Sequence, residues 1–150
     1  MGMALDELDD LYDNSILDHC RHPRNSARLD SPDATGRAVN PFCGDEVDLQ
    51  IEMGGDRITG VGVQGLGCSI NQAAASMLSE AIAGRSVAEA ESIAALFRGM
   101  MRGTAVSDAD AERIGDLTSL QGVLAFPVRI KCALLSWTAL DDALEVLGGG

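Results

Sequence analysis

The sequence predicts an α+β fold, a small antiparallel sheet of about three strands with helices packed on one face. Two observations carry this. Val47, Leu49, Ile51 and Met53 alternate with Asp48, Gln50 and Glu52, the two-residue period of a half-buried strand. From Ser69 onward the apolar residues recur instead at helical spacing, and alanine becomes frequent. Strands grouped ahead of a run of helices give α+β rather than an alternating α/β order.

The elements follow in order. Leu5, Leu8, Leu11, Tyr12, Ile16 and Cys20 step by threes and fours, predicting an amphipathic helix that ends before Pro23. Residues 24–36 are rich in turn formers and are expected to form a loop, with a short strand possible over 37–40. After the strand at 47–53, the turn Gly54-Gly55-Asp56 leads to a second strand over 58–64 with Val61 and Val63 inward. A helix is predicted over 72–83, stopped by Gly84. Ser86-Val-Ala-Glu89 has the form of a capping box and opens a helix through Phe97. Residues 99–120 are polar, glycine-containing and acidic, and are expected to form an exposed insertion with one short helix. A long helix over 128–147 closes the chain, preceded by Pro127.

Length and composition limit the function classes. The 150 residues fit a single domain spanning 1–150, large enough to fold without a metal or disulfides. With 46% apolar residues and a mean hydropathy of +0.08, the chain is not a disordered tail. It has no apolar run of the roughly 20 residues that a membrane span needs. The acidic start lacks the basic-then-apolar order of a secretion signal, so a soluble cytoplasmic protein is expected. Eleven Lys and Arg stand against 23 Asp and Glu, a net charge of −12, and Lys131 is the sole lysine. An acidic surface repels phosphate backbones, and 3% aromatics gives no base-stacking platform, so nucleic acid is an unsuitable partner. The acidity fits either simple solubility or a high-salt cytoplasm.

Four cysteines remain, at 20, 43, 68 and 132, with no CxxC pair to suggest a zinc ribbon or redox motif. Cys43 lies in the loop before the first long strand, Cys68 where the second strand turns into a helix, and Cys132 in the first turns of the closing helix. Helix N-termini favour anions, so Cys68 and Cys132 are expected to have lowered thiol pKa values. Gly44, Gly65 and Gly67 allow close backbone approach around these thiols. Asp45 is two residues from Cys43, so both can reach one centre. Three thiolates and one carboxylate complete a tetrahedral Zn²⁺ set, and the same soft thiolates suit an iron–sulfur cluster. Free cysteines are otherwise small buried hydrophobes. Cys20 fits that description, on the apolar stripe of the first helix. His19 and His22 could bind metal but fit better as solvated or capping groups.

Three segments together resemble the U-type iron–sulfur assembly family, which includes IscU and the N-terminal domain of NifU. They are Asn40-Pro-Phe-Cys-Gly-Asp-Glu-Val-Asp-Leu49, Gly65-Leu-Gly-Cys-Ser-Ile-Asn-Gln-Ala-Ala-Ala-Ser76 and Phe126-Pro-Val-Arg-Ile-Lys-Cys-Ala-Leu-Leu-Ser-Trp137. Leu11-Tyr12, Ile16-Leu-Asp-His19 and Pro23 fit as well. Lys131, where scaffold-type members have histidine, and the extra segment at about 99–120 resemble the SufU branch.

The resemblance implies an IscU/SufU-like fold. It also implies a zinc-dependent sulfurtransferase that accepts persulfide sulfur from a SufS-type cysteine desulfurase and serves a downstream Suf assembly complex. Zn²⁺ would be held by Cys43, Asp45, Cys68 and Cys132, with Cys43 the sulfur acceptor and Arg129 steadying the thiolate or Asp45. The alternative is a non-catalytic scaffold holding iron or a transient [2Fe–2S] cluster on the same ligands. A purely structural zinc module fits the Cys₃Asp set less well. An ammonium at Lys131 must lose a proton to coordinate, which favours the transferase.

Overall fold

A computed structural model describes residues 14–41 and 44–149. The elements are α1 (Asn14–Arg21), β1 (Ala34–Asn40), β2 (Asp45–Gly54), β3 (Arg57–Leu66), α2 (Ser69–Ile82), α3 (Val87–Met101), α4 (Asp108–Ile114), a 3₁₀ segment (Gly115–Ala125) and α5 (Pro127–Gly149). The predicted α+β architecture is present: one antiparallel sheet in the order β1-β2-β3, with α2 and α5 packed against it. The expected first helix is seen from Asn14 onward, and its stretch over 5–13 lies outside the described residues.

Alternation builds the sheet. Val47, Leu49 and Ile51 of β2 are fully buried, and they lie opposite Ala38, Gly36 and Ala34 of β1 and Gly65, Val63 and Val61 of β3. A two-residue turn, Gly55-Asp56, joins β2 to β3, with Gly55 at φ +67° as a primed hairpin turn requires. The register slips by a bulge at Glu52/Met53, which still leaves Ile58 buried. β1 begins at Ala34, three residues before the expected strand. Its inward residues Ala34, Gly36 and Ala38 are too small to give a hydrophobic signal, yet they form the floor on which α5 lies.

Gly36 shows how close that approach is. A Cβ there would stand 1.9 Å from the Ala139 carbonyl oxygen and 2.8 Å from the Ala143 backbone nitrogen. The face of α5 that meets the sheet carries small side chains for the same reason, with Ala139 and Ala143 both fully buried. Behind α5, Trp137 stacks on Phe97 of α3 with ring centroids 5.3 Å apart.

The Ser86 capping box forms as expected: Ser86 Oγ accepts the Glu89 N–H at 3.1 Å and Glu89 Oε1 accepts the Ser86 N–H at 3.2 Å. The helix it opens runs four residues past Phe97, to Met101. One expectation needs correction. Residues 99–120 are not simply an exposed excursion, because Met100, Met101, Ile114, Leu117 and Leu120 are buried, and so is Val123 beyond them. Ile114, Leu117, Leu120 and Val123 recur every three residues, which places them on one side of a 3₁₀ turn and against the core.

Replacing Gly36 by Ala should therefore cost about 3 kcal/mol, because the clash is with backbone that cannot swing away. Urea unfolding followed by circular dichroism measures this, and a loss below the error of the midpoint would show that α5 is free to lift from β1.

Candidate metal centre

Three of the four predicted ligands are among the described residues, and the fold brings them together. Asp45 opens β2, Cys68 immediately precedes α2, and Cys132 lies in the second turn of α5. One ligand atom from each lies within 4.8 Å of the others. Asp45 and Cys132 are fully buried and Cys68 is half-buried, so the cluster opens to solvent on the Cys68 side. Cys43 lies outside the described residues, two positions ahead of Asp45.

Asp45 organises the cluster. Its Oδ1 accepts the Cys68 backbone N–H at 2.9 Å, and its Oδ2 faces the Cys68 thiol at 3.5 Å. The first contact caps the N-terminus of α2 with a carboxylate from another strand; the Cys68 side chain itself forms no cap. Gly67 makes the approach possible. It adopts φ +108°, and a Cβ there would fall 2.0 Å from Asp45 Oδ1. Asn71 fixes the same corner from behind, its side-chain amide donating to the carbonyls of Leu66 and Glu46 at 2.9 and 3.2 Å. Sequence reasoning missed Asn71, whose amide bridges the ends of β2 and β3 from the first turn of α2.

Electrostatics in this cluster depart from the expectation for Cys132. Its thiol is pushed up well beyond the ordinary thiol range, first by burial and then by Asp45 and Cys68 beside it. The helix N-terminus does not offset a fully enclosed position next to a carboxylate. A buried carboxylate and two thiols converging on one point carry a charge problem that a divalent cation resolves, since it favours all three deprotonated donors at once. The spacing fits, because Zn–S bonds of about 2.3 Å put tetrahedral ligands about 3.8 Å apart. The donor set present therefore suits zinc and, equally, iron bound through thiolates.

The remaining candidates are more peripheral. Arg129 lies one turn before Cys132, part-exposed, on the wall of a cavity of about 580 Å³ shared with Phe126 and Val128. Lys131 is exposed. Cys20 is half-buried against the core, as expected of a packing residue, and its thiol donates to the Ser69 carbonyl at 3.1 Å. His22 is exposed, but His19 is not a solvated or capping group: it is completely buried, on the same face of α1 as Ile16. Leu66 and Val39 flank Glu46 in register and are 60% and 48% exposed, an apolar rim at this end of the sheet.

The raised Cys132 thiol has a consequence for the metal-free protein. Folding holds this proton more tightly than the unfolded chain does, so its contribution is complete below about pH 8.5 and is lost as pH rises above that value. Chelator-treated protein should lose stability from about pH 8.5 upward in urea titrations. Cys132→Ser should flatten that decline, and an unchanged slope would mean that Cys132 is not the titrating group.

Comparison with known proteins places the chain among its relatives. Residues 11–144 match the family model described as the NifU-like N terminal domain. The chain is 41% identical over 143 residues to the zinc-dependent sulfurtransferase SufU of Bacillus subtilis, covering 95% of each chain. It is 36% identical over 143 residues to the iron–sulfur cluster assembly scaffold protein IscU of Streptococcus pyogenes, covering 95% of this chain and 88% of that one. Among solved structures, an iron–sulfur cluster assembly scaffold protein for the SUF system from Fervidobacterium islandicum superposes with a TM-score of 0.82 at 30% identity, covering 89% of this chain and 96% of that one. With the family model and these relatives in agreement, the chain belongs to the family of NifU-like N-terminal domains.

Proposed function

We propose that this protein takes part in iron–sulfur cluster assembly as a zinc-dependent sulfurtransferase, accepting persulfide sulfur on Cys43 from a cysteine desulfurase of SufS type and passing it to a downstream Suf assembly complex. The observation that carries the reading is the convergence of Asp45, Cys68 and Cys132 within 4.8 Å, in a chain 41% identical to a zinc-dependent sulfurtransferase. Cys43, Asp45, Cys68 and Cys132 are the proposed ligands. Zinc bound there keeps the thiolates deprotonated and shields them from stray oxidants.

The chain's own residues supply the transfer. The Cys43 thiolate attacks the terminal sulfur of the desulfurase persulfide, a thiol exchange. The donor's S–S bond breaks, a new S–S bond forms at Cys43, and the electron pair leaves on the desulfurase thiolate, with no net oxidation. Asp45 is the hard donor among soft ones, so it is the ligand most readily released when a partner's side chain enters. Arg129, one turn before Cys132, steadies the thiolate or the released carboxylate.

A second reading has its own support, because the Streptococcus and Fervidobacterium relatives are described as scaffolds and thiolates suit an iron–sulfur cluster. Protein purified without oxygen separates the two. Colourless protein with one zinc per thiol–carboxylate centre supports sulfur transfer, whereas brown protein with iron and visible absorption supports a scaffold that assembles a [2Fe–2S] cluster.

Two sets of variants test the assignments. Cys43→Ala should abolish stimulation of a cognate desulfurase, while Cys20→Ala, in a packing position, should leave it intact. Equal losses in both, with the proteins still folded, would show that the acceptor is misassigned. Asp45→Ala should lose zinc to a chelator that leaves wild type loaded, with circular dichroism still showing a folded domain, because a core of this size does not depend on the metal. Unchanged zinc retention would remove Asp45 from the ligand set.

A further inference from the structure

A second group of ligating side chains lies where α1, α2 and the segment after α4 meet. Glu80 is twelve residues along the chain from Cys68, about 18 Å away at the rise of an α-helix, so this group is separate from the thiol centre. His19 is fully buried, and its Nε2 points at two carboxylates, 2.9 Å from Asp116 Oδ2 and 3.5 Å from Glu80 Oε1. All three ligand atoms lie within 4.8 Å of one another. We propose that His19, Glu80 and Asp116 bind a divalent first-row cation of nitrogen and oxygen preference, such as Mn²⁺ or Fe²⁺, and that this ion fastens the inserted segment to the body of the domain.

Three features support a site rather than a chance meeting of charges. The first is how the imidazole is held. Its Nδ1 lies 2.7 Å from Ser76 Oγ, and that oxygen accepts the Arg24 backbone N–H at 2.9 Å. In the tautomer that donates Nδ1–H to Ser76, the Nε2 lone pair is aimed between the carboxylates, the arrangement by which an outer partner fixes a metal-binding histidine. In that tautomer a bound cation takes the place of the proton that otherwise joins Nε2 to Asp116 at 2.9 Å.

The second feature is charge. Asp18, Glu80 and Asp116 gather here against Arg24, whose guanidinium is engaged by Asp18 and reaches Glu80 only at 3.9 Å. Three carboxylates against one guanidinium leave an excess of negative charge, which a dipositive ion offsets.

The third is access. A cavity of about 170 Å³ opens beside the group, bounded by Met77, Glu80, Ile114 and Asp116, and leaves room for water to complete the coordination shell. The two arginines on its wall are engaged elsewhere, Arg85 with Glu89 at 3.4 Å and Arg113 with Asp110 at 3.8 Å.

Mn²⁺ is the appropriate probe, since carboxylate and imidazole suit it and thiolates do not. Zinc-loaded protein is titrated with Mn²⁺, and the free ion is counted by its electron paramagnetic resonance signal. Wild type should take up one Mn²⁺ per chain. Glu80→Gln with Asp116→Asn, both half-exposed and near-isosteric, should weaken this on the order of 10–100-fold or more. Asp108→Asn with Glu112→Gln makes the same charge change on exposed residues of α4 and should bind as wild type does. Hydrogen exchange over 108–125 should slow on Mn²⁺ addition in wild type and not in the Glu80/Asp116 variant. The proposal is overturned if wild type takes up no Mn²⁺ at millimolar concentration, which leaves the group a hydrogen-bonded His19–Asp116 pair. It is equally overturned if the two double variants behave alike, which makes the uptake a diffuse effect of the acidic surface.

Discussion

The carboxylate of Asp45 is the constraint on which the rest of the thiol centre depends. It is buried at the start of β2, and it uses one oxygen on the Cys68 backbone and turns the other toward the Cys68 thiol. A buried anion without partners would be expensive, so its environment has to be supplied by the fold. The N-terminus of α2 supplies part of it, and Gly67 brings that backbone into range because no other residue fits at φ +108° against Asp45. What the backbone does not neutralise is left to the metal ion proposed for this centre.

The third described ligand arrives by a different route. Cys132 stands on α5, whose position is set by contact with β1 and not by the metal centre. Gly36 and Ala139 let the helix lie directly on the strand, and the stacked Phe97 and Trp137 hold it from behind. The cluster is thus assembled from a strand start, a helix start and a helix turn; Asp45 ties the first two together, and packing of α5 on β1 sets the third. A rigid frame of this kind can release one ligand without losing the other two, as a transfer reaction requires.

Much of this was legible in the sequence because the responsible signals are local. The two-residue alternation from Val47 to Met53, the capping box at Ser86 and the proline that opens α5 each act within a few residues of themselves. The thiol and carboxylate positions were legible for another reason, since glycines and element boundaries flank them. What escaped was long-range or carried by small residues. β1 starts at Ala34 because Ala34 and Gly36 are small enough to lie under α5, which no hydrophobicity pattern reveals. His19 has the sequence context of a solvated or capping group because its partners, Ser76 and Asp116, are 57 and 97 residues away. The burial of Ile114, Leu117, Leu120 and Val123 had a signal, a repeat of three that matches a 3₁₀ turn, but an acidic surrounding sequence masked it. The raised Cys132 thiol could not be foreseen from its place near a helix N-terminus, because burial outweighs that field.

In the proposed function, Cys43 joins Asp45, Cys68 and Cys132 on a single metal ion. X-ray absorption at the zinc edge, on protein loaded with one equivalent of zinc, tests this most directly. Three sulfur neighbours at about 2.3 Å and one oxygen at about 2.0 Å are expected. Asp45→Ala should keep the three sulfurs and lose the carboxylate. A shell of four sulfurs, or one with two sulfurs and two imidazole nitrogens, would contradict the account.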